Sequence, residues 1–95
     1  MASGKQWQEK TFVGAATAIT VYFDFVPARI ELYTVAGGAA IEVGYKSNKM
    51  LTDSYYSTST GIDAGVTINS DGSVTIANGA DINVSTVTTY CVAYA

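Results

Sequence analysis

The sequence predicts an all-β chain folded as a small antiparallel sandwich, jelly-roll-like, with about seven to eight strands. Three observations carry this. Val, Ile, Thr and Tyr dominate the regular stretches, and these residues fit a pleated, half-buried surface. Apolar residues recur at every second position rather than at helical spacing. Gly, Pro, Asn and Asp signals interrupt the chain about every eight to twelve residues, the rhythm of sandwiches and barrels.

The elements follow in order. Trp7 stands among Lys5, Gln6, Gln8, Glu9 and Lys10, so residues 1–12 read as an N-terminal arm or first edge strand. Ile19, Val21, Phe23 and Phe25 alternate with Thr20, Tyr22 and Asp24, a strand with one apolar face. Pro27 ends it, because proline cannot donate to a ladder. Residues 29–35 and 41–46 form a hairpin around the small-residue turn Ala36-Gly37-Gly38-Ala39-Ala40. Ile30 and Leu32 share one face of its first strand, and Ile41, Val43 and Tyr45 one face of its second. Lys46 to Gly61 reads as a long polar connection carrying Tyr55-Tyr56, with room for one short strand.

The last third is the most specific. Val66-Thr67-Ile68 and Val74-Thr75-Ile76 flank Ser70-Asp71-Gly72. A two-residue Asp-Gly turn would set their apolar residues on opposite faces. A three-residue loop with a bulge pairs Ile68 with Val74 and Val66 with Ile76, and places Gly72 where φ is positive. Asn78-Gly79 marks a further turn, Ile82 and Val84 a strand, and Tyr90, Val92 and Tyr94 a final strand with Cys91 and Ala93 on its other face. The expected core is Ile19, Val21, Phe23, Ile30, Leu32, Val66, Ile68, Val74, Ile76, Ile82 and Val92.

Composition narrows the function classes. Ninety-five residues make one domain, 1–95. Chains this small are reinforced by disulfides, metals or partner subunits. One cysteine permits no disulfide within the chain, and one cysteine without histidine provides no structural zinc site. Tight packing or subunit assembly is left. Five Lys and Arg against eight Asp and Glu give a net charge of −3, with no basic stripe to meet phosphates, so nucleic acid is not an expected partner. Charged residues are 14% of the chain, against about 25% in ordinary soluble domains, which implies surface buried against other subunits. Met1 to Gln6 holds no apolar signal region, and no apolar run approaches the ~20 residues of a membrane span.

Catalytic chemistry has little to stand on. The absence of histidine removes Ser-His-Asp and Cys-His arrangements. Cys91 lies in an apolar strand and reads as a small, buried packing residue with a free thiol. Glu31 and Glu42 could face each other across the hairpin, but read better as solvated strand charges. Asn69-Ser70-Asp71-Gly72 has Thr67 where a calcium loop needs its first carboxylate, so it reads as a turn. Asn83-Val84-Ser85 is a formal glycosylation sequon. No cofactor or metal site is expected, and the chain is not expected to be an enzyme. The candidate interface residues are Trp7, Phe12, Tyr55 and Tyr56, aromatics in or beside polar segments.

Several segments carry a resemblance. Gly61-Ile62, Gly72-Ser73-Val74-Thr75-Ile76, Gly79-Ala80-Asp81-Ile82-Asn83-Val84-Ser85 and Thr89-Tyr90-Cys91-Val92-Ala93-Tyr94-Ala95 resemble the C-terminal end of small tailed-phage structural proteins. Ala18 to Ile30, with its strand, Phe25-Val26-Pro27 and second strand, is similar to their opening. Together these cover about half of the chain. The resemblance implies a capsid decoration (cement) protein whose partners are the major capsid protein and itself, as a homo-oligomer with a trimer favoured. It would assemble in the reducing host cytoplasm and reside in the virion, where such a protein works by burial. A tail or fibre module recognising a receptor or glycan is the alternative. Trp7 is then expected to anchor a polar arm, Ala2 to Phe12, on the capsid or an adjacent subunit.

Overall fold

A computed structural model describes residues 7–95, and Met1 to Gln6 lie outside it. The described residues form nine strands: β1 (Trp7–Val13), β2 (Ile19–Tyr22), β3 (Arg29–Ala36), β4 (Ala39–Ser47), β5 (Ser54–Ser57), β6 (Gly61–Ala64), β7 (Val66–Ile68), β8 (Ser73–Ile76) and β9 (Thr88–Tyr94). They form two antiparallel sheets, one of six strands in the order β1-β9-β3-β4-β5-β6 and one of three in the order β2-β8-β7. The all-β antiparallel sandwich is therefore the observed fold. Hairpins keep β3 to β6 in one sheet, and the chain changes sheet before and after β2, at Gly65, and between β8 and β9.

Turn chemistry sets the registers. Gly37 and Gly38 have φ of 62° and 81°, so two residues, not five, join Ala36 to its partner Ala39. A two-residue turn with both φ positive matches the twist of a hairpin and suits glycine. The register slips between Thr34 and Val35, which leaves Ile41 as the extra residue of a bulge. The β7–β8 hairpin pairs Val66 with Ile76 and Ile68 with Val74, as the sequence predicts. The Gly72 N–H donates to the Asn69 carbonyl at 3.1 Å, and Gly72 has φ of 91°.

The core lies between the sheets. Val21, Phe23, Ile30, Leu32, Val66, Val74, Ile76 and Ile82 are buried as expected, and Ile19 and Ile68 pack against them partly exposed. Full burial of one such side chain contributes about 1.5–3 kcal/mol. Val92 is the exception. It faces outward on β9, and its neighbours Cys91 and Ala93 are fully buried instead.

One alternative holds and one expectation is corrected. Residues 7–12 are the first edge strand, one of the two readings of the N-terminal segment, and not a free arm: Trp7 to Val13 pair in register with Tyr94 to Thr88, and β1 lies at the end of the six-stranded sheet. Gln8 also ties this strand to the β2–β3 connection, donating to the Asp24 carboxylate at 3.2 Å and accepting from the Asp24 N–H at 2.9 Å. Ile82 to Val84 is not a strand. The Ile82 carbonyl accepts from the hydroxyls of Thr34 (3.2 Å) and Thr89 (3.0 Å) instead of from a neighbouring strand. Asn83 works as a latch: its Oδ1 accepts from Ala15 N–H at 2.8 Å, and its Nδ2 donates to the carbonyls of Thr17 and Ala77 at 3.0 and 3.1 Å. These bonds occupy the side chain that the sequon would have glycosylated.

Candidate functional site: the outer face of the six-stranded sheet

Directly opposed residues in a ladder point to the same face of a sheet. Among the rows that the registers assemble across the six-stranded sheet, three carry its outward aromatic residues. Trp7, Tyr94, Arg29 and Ser47 form one. Glu9, Val92, Glu31, Tyr45, Tyr56 and Ile62 form the second, spanning all six strands. Thr11, Tyr90, Tyr33 and Val43 form the third. The residues alternating with them, such as Phe12, Cys91 and Leu32, are buried in the core cluster that also holds Val21, Val74 and Ile82. The rows thus lie on the face turned away from the core. Five of the seven tyrosines and the single tryptophan share it.

Two strands are inverted relative to their apolar pattern. In β4, Val43 and Tyr45 face out, while Glu42, Gly44 and Lys46 face in. In β9, Tyr90, Val92 and Tyr94 face out, and the smaller Thr89, Cys91 and Ala93 face in. In β4 the reason is space. A Cβ on Gly44 would sit 3.1 Å from Ile82 Cγ2 and 3.5 Å from the Tyr55 ring, so the room above β4 is already filled.

Tyr55 fills that room. It is fully buried, and its hydroxyl accepts from the Asp81 N–H at 2.9 Å, so it is a core residue and not an interface one. Burial pushes its phenol pKa up. Phe12 is likewise in the core. Of the four candidate interface residues, Trp7 and Tyr56 remain on the surface, 54% and 44% exposed, on strands β1 and β5 of the same outer face. The sequence reading missed Tyr33, Tyr45, Tyr90 and Tyr94 as members of that face. The available signal was the alternation of bulky and small residues in β9, which favours the wrong side when bulk is equated with burial.

The inward polar residues of β4 are satisfied. Glu42 accepts from Thr58 Oγ1 and the Ser59 N–H, both at 3.1 Å, and from the Ser59 hydroxyl. Burial alone would raise its pKa, but these bonds outweigh burial and hold it below the usual carboxylate value. The Lys46 ammonium donates to the carbonyls of Leu51 (2.9 Å) and Ser54 (2.6 Å); burial lowers its pKa and Asp53 opposes the shift. Glu31 and Glu42 do not form a carboxylate pair. Glu31 opposes Tyr45 on the outer face and Glu42 opposes Thr34 on the inner one.

The outer face has its own polar centre. The Glu31 Oε1 accepts from the hydroxyls of Tyr33 at 3.2 Å and Tyr94 at 3.1 Å. The Arg29 guanidinium stacks 4.3 Å above the Tyr94 ring. Partial burial and the bond to Glu31 raise the Tyr33 phenol pKa. These contacts fix four side chains relative to one another.

Elsewhere the chemistry is structural. Asp71 accepts from the Ser73 N–H at 2.9 Å, closing a turn. The Cys91 thiol is buried, which pushes its pKa up to about 12. Among the described residues no group of three or more His, Cys, Asp and Glu could hold a metal ion, and no helix is long and apolar enough to cross a membrane. No family model, curated protein or solved structure matches the chain.

Proposed function

We propose that this protein is a structural component of a phage virion, a capsid decoration protein that works as a homo-oligomer, with a trimer favoured. The observation that carries the reading is the outer sheet face, where Trp7, Tyr45, Tyr56, Ile62 and Tyr90 are exposed, with Tyr45, Tyr56 and Ile62 side by side across β4, β5 and β6. Contiguous apolar patches on a small domain mark interaction surfaces. The resemblance of about half the chain to small tailed-phage structural proteins supports the particular assembly. Decoration then acts by mass action: a protein that binds only the assembled shell stabilises it by RT ln(1 + [L]/Kd), about 2.7 kcal/mol at one hundred times Kd.

The test is addition of the purified protein to phage heads assembled without it. Saturable binding at hundreds of copies, with a raised temperature of shell disruption, is the expected result. Absence of binding to heads overturns the reading. A second reading, a tail module for a receptor glycan, is favoured by exposed Trp7 and Tyr56, since flat aromatic rings stack on sugar faces. A handful of copies per virion, confined to the tail, would establish it instead.

A further inference from the structure

We propose that Asn78 is a site of spontaneous modification, independent of the function proposed above: in the folded chain its side-chain amide condenses with the Gly79 backbone nitrogen, and water converts the product to aspartate and isoaspartate.

The chain holds two dipeptides with the chemistry for this ring closure, Asn78-Gly79 and Asp71-Gly72. Each sets a side-chain carbonyl carbon one residue before a glycine, whose nitrogen is unhindered because no Cβ flanks it. Both glycines have positive φ, 92° at Gly79 and 91° at Gly72. Their surroundings separate them.

Asp71-Gly72 is shut. The Asp71 Oδ1 accepts from the Ser73 N–H at 2.9 Å and from the Ser73 hydroxyl at 2.5 Å. The Gly72 nitrogen, which would have to attack, has its N–H engaged with the Asn69 carbonyl at 3.1 Å. Gly72 is also buried, so close to the Phe23 carbonyl oxygen that a Cβ would lie 2.9 Å from it.

Asn78-Gly79 is open. Both residues are exposed, in a turn closed by one hydrogen bond, Ala80 N–H to the Ala77 carbonyl at 3.2 Å. Neither the Asn78 side chain nor the Gly79 N–H has a hydrogen-bond partner among the described residues. The space where a Gly79 Cβ would stand is empty to 4 Å. The other asparagines differ. Asn69 Nδ2 donates to the hydroxyls of Ser73 and Thr75, both at 3.0 Å, and Asn83 holds three backbone groups. Asn48 precedes Lys49, whose N–H donates to the Ser47 hydroxyl at 3.3 Å.

The reaction needs only water. The Gly79 nitrogen attacks the Asn78 Cγ. The N–Cγ bond forms, the Cγ–Nδ2 bond breaks, and Nδ2 takes the Gly79 proton and leaves as ammonia. Water then opens the succinimide at either carbonyl. Attack at Cγ gives aspartate. Attack at the main-chain carbonyl gives isoaspartate, whose main chain is longer by one methylene. Either product adds a negative charge to a chain of net charge −3. The longer turn also pulls on the Asn83 latch. The Ala77 carbonyl accepts from both Ala80 N–H and Asn83 Nδ2, and the Asn83 N–H donates to the Ala80 carbonyl at 2.8 Å.

The experiment incubates the intact protein in mildly alkaline buffer made with heavy-oxygen water. Its peptides are then mapped by mass spectrometry, with fragmentation that distinguishes isoaspartate from aspartate. Asn78 should take up label about tenfold or more faster than Asn69, Asn83 and Asp71, which react only from locally opened states. Unfolding in urea should speed those three by about tenfold or more and change Asn78 far less. Gly79→Ala, whose Cβ has room, should slow conversion at Asn78 with the β-sheet circular dichroism retained. In the converted protein, amide exchange at Ala15 and Asn83, the two N–H groups of the latch, should quicken. Conversion at Asn78 no faster than at Asn69 or Asn83 in the folded chain, or seen only after unfolding, overturns the inference. Isoaspartate at 78 with unchanged exchange at 15 and 83 overturns its coupling to the latch.

Discussion

Removing the two threonine hydroxyls over Ile82 should destabilise the protein by more than the sum of their separate effects. Thr34 and Thr89 are both fully buried, 2.8 Å apart at their hydroxyls, and both reach the Ile82 carbonyl. Each hydroxyl has one proton to donate. In Thr34→Val, Thr89 still donates to Ile82, so one hydrogen bond is lost and no buried group is orphaned, at about 1 kcal/mol. In Thr89→Val, the Thr34 hydroxyl turns to the same carbonyl at 3.2 Å, and about 1 kcal/mol is again expected. The double variant leaves that carbonyl buried without either donor, adding about 1–3 kcal/mol. The total is then about 3–5 kcal/mol, with a coupling of 1 kcal/mol or more. The assay is urea unfolding of the four proteins at one fixed concentration, because assembly makes apparent stability concentration-dependent. Thermal midpoints should fall about 4–8 °C for each kcal/mol in a domain of this size. Additive effects within about 0.3 kcal/mol would show that the carbonyl finds another donor, and would refute the account of why residues 82–84 are not a strand.

Other outcomes follow from the same structure. Gly72→Ala should destabilise clearly more than Gly79→Ala: both have positive φ, but a Cβ at Gly72 would lie 2.9 Å from the Phe23 carbonyl oxygen, while at Gly79 it meets nothing within 4 Å. Equal losses in thermal unfolding would contradict this. Cys91 should react with a thiol reagent at pH 8 only as fast as the protein opens, given a thiol pKa near 12; rapid native labelling would exclude burial. Lys46→Met should cost about 2–3 kcal/mol, by leaving two carbonyls without their donor, and should speed amide exchange in residues 47–54. Asp81 is held below its ordinary 3.8 by hydroxyls of Thr60 and Ser57, and Glu42 below its ordinary 4.5 despite burial. A carboxylate depressed in the folded state stabilises fully above its unfolded pKa and loses that contribution as pH falls through the folded value. Stability should therefore drop below about pH 4, and Glu42→Gln with Asp81→Asn should flatten the drop; an unchanged acid limb would refute it.

Local chemistry in the sequence was enough for most of the strands, though not for β6, and for the β7–β8 register and most of the core. Alternation reveals a strand, and a required glycine conformation at Gly72 counts the residues of its loop, because both effects act within a few residues. What alternation cannot say is which of two faces is the inside. Ile41, Val43 and Tyr45 form the more apolar set of β4, and Val92 with its tyrosines that of β9, yet both sets face out. That choice belongs to the tertiary structure. Tyr55 arrives from β5 and Ile82 from an irregular segment, and together they fill the space above Gly44. Cys91 and Ala93 are fully buried, while the larger members of β9 face away from the core. Ile82 reads as part of a strand and is not one for the same reason, since its carbonyl partners, Thr34 and Thr89, lie 48 and 7 residues away. The tyrosine face likewise exists only through pairings between strands distant in sequence, with Trp7 beside Tyr94 and Tyr94 beside Arg29. Period and turn chemistry are local and were legible; competition for a fixed interior volume is collective, and only the packed sheets decide it.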